Sequence, residues 1–539
     1  MKKDNVFSRV CVLLGCVLFF ALNGYAGDAN AVSKEATKTI GQVSISDSIS
    51  DHSDSNTAGS LANVIKQIGE TVCGIELQGP KVYTLKNDLV IGKNISIRFQ
   101  RGAVIFIEKD RTLKFEGVID AGLQHIFDGP GYVKGEAQIE AVLPQWFGTV
   151  GDGYTDDTVA LQKAVDYACD SRVLAVNLNR GKYKVTKQLD CTNTRLPGTF
   201  QRDGLRIYGS SFWNTIIIGD TGDNTAVMDI SGVEWLHLEN FMVASSKNHI
   251  TGKYGDNPST VGIFVGCGKV NPQSQNQRYH VFVSMHDDMK ANGGKGTIGI
   301  WNFASEENTY DNVYIHANRP IVLTIFNGFG GWEYKNSYVE LLSLHSMGMT
   351  TFTGECLLNA INGPAFTTVC AYSLNIQNGY IHSRKDVPVF DVSGSLMDLK
   401  YSGTIEGGGR LFRINNGKWI DGNDMIGELI GSNVSCVFGM QEEKPSNEPI
   451  IEIASKGKIV NCDIKINCSG EPGLENRNLF AVIEDKDAKY SGGIFNTTIK
   501  TNQPSKWIQI PEAIKKNCKQ ATISNNESYT DLAFPPLAK

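Results

Sequence analysis

The 539-residue chain predicts an all-β solenoid, one elongated domain of stacked coils with a capping helix near its N-terminus. Three observations predict it. Short strands of alternating apolar and polar residues recur along most of the chain, separated by Gly and Asn. Where spacing is regular it is 26 residues (Val313 to Val339) or 24 (Ile381 to Ile405), which suits a coil of three short strands and three turns. One amphipathic helix precedes the long series, and few helical patterns follow Cys169.

From the N-terminus, residues 1–26 read as a secretory signal. Lys2, Lys3 and Arg9 form its basic region, the run Val10–Leu22 is too short to span a bilayer, and cleavage is expected after Ala26. A lipoprotein signal is the alternative, because Leu13-Leu14-Gly15-Cys16 resembles a lipobox. Either way the chain is expected to be exported, to the periplasm, the cell surface or the medium. The lipoprotein alternative would add outer-membrane surface association. Residues 27–60, rich in Ser, Ala, Asp and Thr, read as a flexible linker. Residues 61–143 hold short strands (95–99, 104–107, 113–115, 118–120) that read as small coils. The main solenoid is expected over 144–510 and a tail over 511–539.

The net charge of −6 grows more negative by two when Lys2, Lys3, Arg9 and Asp4 leave with the signal. That balance argues against a general nucleic-acid binder. No other segment is apolar enough to span a bilayer, so the chain is not expected to be transmembrane. Twelve cysteines are scattered without the paired spacing of a zinc site. Cys462 and Cys468 are near enough for a local disulfide, but small buried core residues are the preferred reading.

The segment Trp146–Asp166, WFGTVGDGYTDDTVALQKAVD, organises the domain entry. Gly151 and Gly153 allow a tight turn at positive φ. Thr155 or Asp156 can accept the free amides of the first helical turn. Leu161, Ala164, Val165 and Ala168 give one apolar face, which can cover the open end of a coil stack. A metal or catalytic cluster of Asp152, Asp156 and Asp157 is the competing reading, and helix capping is preferred. Further on, Gly262-Ile263, Gly299-Ile300 and Pro320-Ile321 repeat as strand starts, and a long insertion is expected over 346–368.

Alternation along strands picks out candidate chemistry. Val313 and Ile315 should point inward, leaving Tyr314 and His316 outward, with Asn312 before them. By the same rule Tyr338, Glu340, Tyr380, His382, Arg384 and Glu406 face out. Stacked coils would set these groups side by side, about 4.8 Å per step. Such a face suits β-elimination on a uronic-acid polysaccharide. His382 or His316 would take the C5 proton, Arg384 would bind the carboxylate, and Tyr380 or Tyr314 would protonate the leaving oxygen. Asn312 and Asn378 would add hydrogen bonds. Tyr338, Glu340, Glu406 and Trp332 would contact substrate. Trp301 and Tyr334 are further stacking candidates. His280, His286, Asp287 and Asp288, and likewise Glu306, Glu307 and Asp311, are polar clusters that read better as solvated loops than as cation sites. No cofactor is called for, with calcium as the alternative.

The motif at Trp146–Asp166 and the coils after it resemble the pectate-lyase-like superfamily, from about Val82 to Ile510. The resemblance implies a single right-handed parallel β-helix and leaves the reaction open, because that scaffold carries lyases, hydrolases and tailspike depolymerases. The Asn-Thr-Asp and Gly-His-Gly motifs of polygalacturonase-type hydrolases are missing, and there is no convincing equivalent of the acidic strand face of calcium pectate lyases. A metal-independent Tyr/His lyase fits better. The leading expectation is a polysaccharide lyase of a Gram-negative glycan forager. Its partner would be an anionic polysaccharide, with glycosaminoglycans such as chondroitin sulfate or hyaluronan first and pectic or algal uronates open. The alternatives are a glycoside hydrolase using Glu340 and Glu406, and a non-catalytic glycan-binding or adhesion protein.

Overall fold

The computed structural model describes residues 41–43, 61–192, 202–248, 250–266, 274–302, 305–323, 347–383, 387–407, 409–418, 424–440, 448–468, 477–483, 492–503, 506 and 508–525. Residues 1–26, expected as a signal, and the expected linker 27–60 apart from 41–43, lie outside them. Strands dominate, and nearly every pairing is parallel between one coil and the next, so the chain is a parallel β-helix.

The small coils come first. Cys73–Leu77, Ile95–Phe99 and Val118–Asp120 stack as one wall, with Ile75, Ile97 and Ile119 in register. Lys81–Leu85, Ala103–Ile107 and Phe127–Asp128 make a second wall, and Leu89–Ile91, Thr112–Phe115 and Tyr132–Lys134 a third. The expected linker needs one correction: Gly41–Val43 pairs in parallel with Cys73–Ile75 and adds a rung. The helix Leu61–Ile68 buries Leu61 and packs Ala62, Val64, Ile65 and Ile68 against the core.

The motif at Trp146 joins these coils to the long sheet. Trp146 is buried and donates its indole N–H to Gly122 O at 3.2 Å, while Phe147 lies 5.7 Å from Phe127 and 6.0 Å from Tyr167. The helix Thr158–Asp170 buries Leu161, Ala164, Val165 and Ala168, as its periodicity predicts. It packs at the first coil of the long sheet, and the small coils join the stack there. Turn hydrogen bonds ahead of the helix account for most of the acidic run, in place of the expected cap, since Asp157 at the helix start makes no side-chain cap bond. Asp156 Oδ1 accepts the Thr158 amide (3.0 Å), Asp152 Oδ1 those of Tyr154 and Thr155 (2.7 Å each), and Asp157 those of Val150 (2.7 Å) and Gly151 (3.0 Å). Gly151 and Gly153 take φ of 68° and 87°.

The first coils of the long sheet show three short walls among the described residues, as in Leu189–Asp190, Arg206–Gly209 and Thr215–Gly219, and later coils pass through four. The strand Phe366–Ser383 shows all four, because it bends through 366–368, 370–372, 375–376 and 379–383 in one run. The Gly/Pro repeat belongs to the first wall: Ile263, Ile300, Ile321, Phe366, Phe390 and Phe412 form one inward ladder. A Cβ on Gly299 would fall 2.6 Å from Pro320 O, so the close approach of successive coils needs glycine there. Inside, Tyr279, Tyr310 and Phe352 stack at 4.5 Å steps, and Phe366, Phe390 and Phe412 at 5.1 and 5.2 Å.

Two expected boundaries move. Residues 347–368 are not a long insertion, because Met347–Thr353 and Leu357–Ala360 are regular coil strands and Phe366 opens the next. The solenoid also passes residue 510: Thr522–Asn525 pairs with Thr498–Thr501 as one more rung. Cys356, Cys436, Cys462 and Cys518 are small buried core residues, and the Cys462 thiol lies 3.2 Å from Val460 O and 3.4 Å from Leu429 O.

Two outcomes test this account. Phe366→Ala should leave a cavity in the aromatic column and cost about 3–5 kcal/mol, read as a fall in the urea midpoint. Burial raises the Asp157 carboxyl to about 6, against the two amides that favour its charge. The folded chain then binds more protons than the unfolded chain between about pH 4 and 6, so stability should fall as pH rises through that window. Asp157→Asn should flatten that fall in urea midpoints taken across the window.

Candidate active site on the fourth wall

The fourth wall runs through Tyr314–Ala317, Leu357–Ala360, 379–383, 403–407 and 436–440. Val283, Ile315, Leu358, Ile381, Ile405 and Phe438 fill its inner side, each no more than 2% exposed. With that side fixed in the core, the alternate residues must face out.

The register sorts them into two tracks. Phe282, Tyr314, Leu357, Tyr380 and Thr404 follow one another along the first. Ser284, His316, Asn359, His382 and Glu406 follow along the second. One track is mainly apolar and aromatic, the other polar. Tyr314, His316, Tyr380, His382 and Glu406 therefore share a face, as alternation predicts.

Asn359 is the residue that sequence reasoning missed. It sits between His316 and His382, and its Oδ1 lies 3.0 Å from His382 Nδ1. An amide oxygen only accepts, so Nδ1 carries the proton and Nε2 becomes the basic nitrogen. The Asn359 amide N–H groups remain as donors. Glu406 pairs in register with His382 on the other side. Tyr380 is exposed (36%), one alternation away from His382.

At the upstream end the apolar track sinks under a second apolar cluster. Ile216, Ile218, Met242, Ala244 and Phe282 are buried on the outer side, with Phe212, Ile250, Tyr254 and Tyr314 packed against them. Tyr314 lies 5.9 Å from Phe282 and 6.2 Å from Phe212. It belongs more to this cluster than to the polar track.

Several expected residues sit elsewhere. Asn312 and Asn378 are corner residues with φ of 49° and 55°, the left-handed conformation Asn tolerates. Asn312 Oδ1 accepts the Glu355 amide at 3.0 Å, and the Asn378 amide donates to Ser402 Oγ at 3.3 Å, so both shape turns. Trp301 is fully buried and offers no stacking surface. Arg384, Trp332, Tyr334, Tyr338 and Glu340 lie outside the described residues.

The polar loops are tied into turns. His286 is buried with Nδ1 3.0 Å from Ser245 Oγ, and burial lowers its pKa. Asp287 Oδ1 accepts from the Asn318 (2.9 Å) and Asn362 (2.6 Å) amides, and Asp311 Oδ1 accepts the Thr353 hydroxyl at 3.0 Å. Among the described residues no three His, Cys, Asp or Glu side chains gather where they could hold a metal ion. On the first wall Arg410 bridges Glu448 and Glu452 (2.9 Å), and Arg413 reaches Glu452 at 3.4 Å. That mutually neutralised set serves coil packing.

No protein-family model matches the chain, and no curated protein matches it in sequence. Among solved structures, the mannuronan C-5 epimerase AlgE6 A-module of Azotobacter vinelandii is similar over 71% of this chain and 93% of its own, at 13% identity and a TM-score of 0.39. The Dettilon tailspike protein is similar over 72% of this chain and 67% of its own, at 12% identity and 0.44. The surface adhesin PfbA of Streptococcus pneumoniae is similar over 72% and 83%, at 12% and 0.34. These are likenesses of fold.

The His382–Asn359 contact sets a tautomer that can be read directly. Nitrogen-detected NMR of the neutral imidazole should show the proton on Nδ1 in the wild type, and Asn359→Ala should shift the population toward Nε2–H. A wild-type Nε2–H tautomer would contradict the assignment.

Proposed function

We propose that the chain is an exported polysaccharide lyase that cleaves uronic-acid-containing polysaccharide by β-elimination on the fourth wall. The observation that carries this reading is the His382–Asn359 pair, with Tyr380 beside it on the same outer face. A pyranose ring has an apolar face and a polar rim, which the two tracks match. In the proposed step, Asn359 Nδ2 donates to the uronate carboxylate and stabilises the charge that develops as C5 loses its proton. His382 Nε2 takes that proton. The C5–H pair becomes the C4–C5 double bond, the C4–O bond breaks, and the Tyr380 hydroxyl protonates the departing oxygen. His316, on the far side of Asn359, adds a further donor to the carboxylate, and Glu406 flanks His382 on the next coil. Glycosaminoglycans such as chondroitin sulfate and hyaluronan lead as substrates, followed by pectate and alginate.

A hydrolase on the same face would need two carboxylates about the scissile bond. Among the described residues of the two outer tracks between Ser284 and Glu406, Glu406 is the one carboxylate.

The test is ultraviolet absorbance of unsaturated uronate during incubation with each polymer, with and without chelator. The wild type should produce the signal on one polymer class in both conditions. His382→Ala and Tyr380→Phe should each lower the rate by about 100-fold or more with unchanged melting. Reducing ends without absorbance would identify a hydrolase, and binding without either product an adhesin.

A further inference from the structure

We infer that Trp213 forms a distal sugar-stacking subsite, which holds a long uronate polysaccharide along the outer tracks toward Tyr380 and His382. This rests on the lyase reading and extends it to the length of chain the protein grips.

Trp213 sits at the tip of the turn 210–214, between the strands Arg206–Gly209 and Thr215–Gly219. The residue is 61% exposed, so most of its surface is open to solvent. The neighbouring Phe212 does the packing, 5.1 Å from His280 and 6.2 Å from Tyr314. Phe212, Ile250 and Tyr254 pack against the apolar cluster beneath, and Trp213 meets it at Phe282.

The indole is nevertheless held in place. It meets Phe282 edge to face at 5.5 Å and 88°. The turn beneath it is pinned: the Ser210 amide donates to Thr215 Oγ1 (3.0 Å), the Thr215 amide to Ser211 O (3.0 Å) and the Asn214 amide to Ser211 Oγ (3.3 Å). A preorganised aromatic face is what a sugar ring needs for stacking at low entropic cost.

Position makes this face part of the site. Phe282, the residue that braces Trp213, lies on the apolar track that continues through Tyr314 and Leu357 to Tyr380. Three coil steps separate Phe282 from Tyr380, about 14 Å. A ligand touching both ends must be longer than one sugar, so the subsite selects polymer over short fragments. The occupant is the same polysaccharide that reaches His382.

The experiment compares wild type, Trp213→Ala and Trp213→Phe in steady-state production of unsaturated uronate, on the polymer and on its tetrasaccharide. Trp213→Ala should raise KM for the polymer about 2–10-fold with kcat retained, so that the polymer loses its advantage over the tetrasaccharide. Trp213→Phe should restore part of the loss. An unchanged polymer KM in Trp213→Ala would overturn the subsite while leaving the lyase reading intact. No unsaturated product from the wild type on any uronate polymer would overturn the lyase reading, and the subsite with it.

Discussion

Everything proposed for this protein depends on the register between successive coils. A shift of one residue in a parallel pairing would turn each inward side chain out and each outward one in. The core prevents that shift. Ile315, Leu358, Ile381 and Ile405 occupy one inner ladder of the fourth wall, all buried, while the aromatic columns through Tyr310 and Phe366 lock the neighbouring walls. The positions of Tyr380, His382, Asn359 and Glu406 follow from this packing, without any strong attraction among themselves.

The same constraint explains how a repetitive scaffold supports an asymmetric site. Each coil contributes one residue to each outer track, so the chemistry along the solenoid is set rung by rung. Upstream, Ile216, Met242 and Phe282 make the track apolar and covered; downstream it opens at Tyr380. On the polar track, Asn359 separates the two histidines and fixes the proton on one of them through a 3.0 Å contact. Loop lengths vary from coil to coil without disturbing the tracks, because only the short strands are in register.

Much of this was legible in the sequence, and the parts that were not have physical reasons. The Ile381 to Ile405 step of 24 residues is a true rung, and the repeats at Gly262, Gly299 and Pro320 mark successive first-wall strands. Alternation placed Tyr314, His316, Tyr380, His382 and Glu406 outward correctly. Asn359 stayed hidden because its rung follows 43 residues after His316, and that gap suggested a loop where strands lie. Asn312 and Asn378 misled because Asn serves equally as a hydrogen-bonding side chain and as a left-handed corner. The extra rung at Thr522–Asn525 lies beyond a helical turn at Glu512–Lys515 that reads as the start of a tail.

The most direct measurement is a crystal structure of the His382→Ala variant with a uronate hexasaccharide of the polymer that the wild type cleaves. The saccharide should lie over the two tracks of the fourth wall, with one carboxylate within hydrogen-bonding reach of Asn359 Nδ2 and the Tyr380 hydroxyl near the adjoining glycosidic oxygen. A saccharide bound on another wall, or one that leaves Asn359 and Tyr380 untouched, would contradict it.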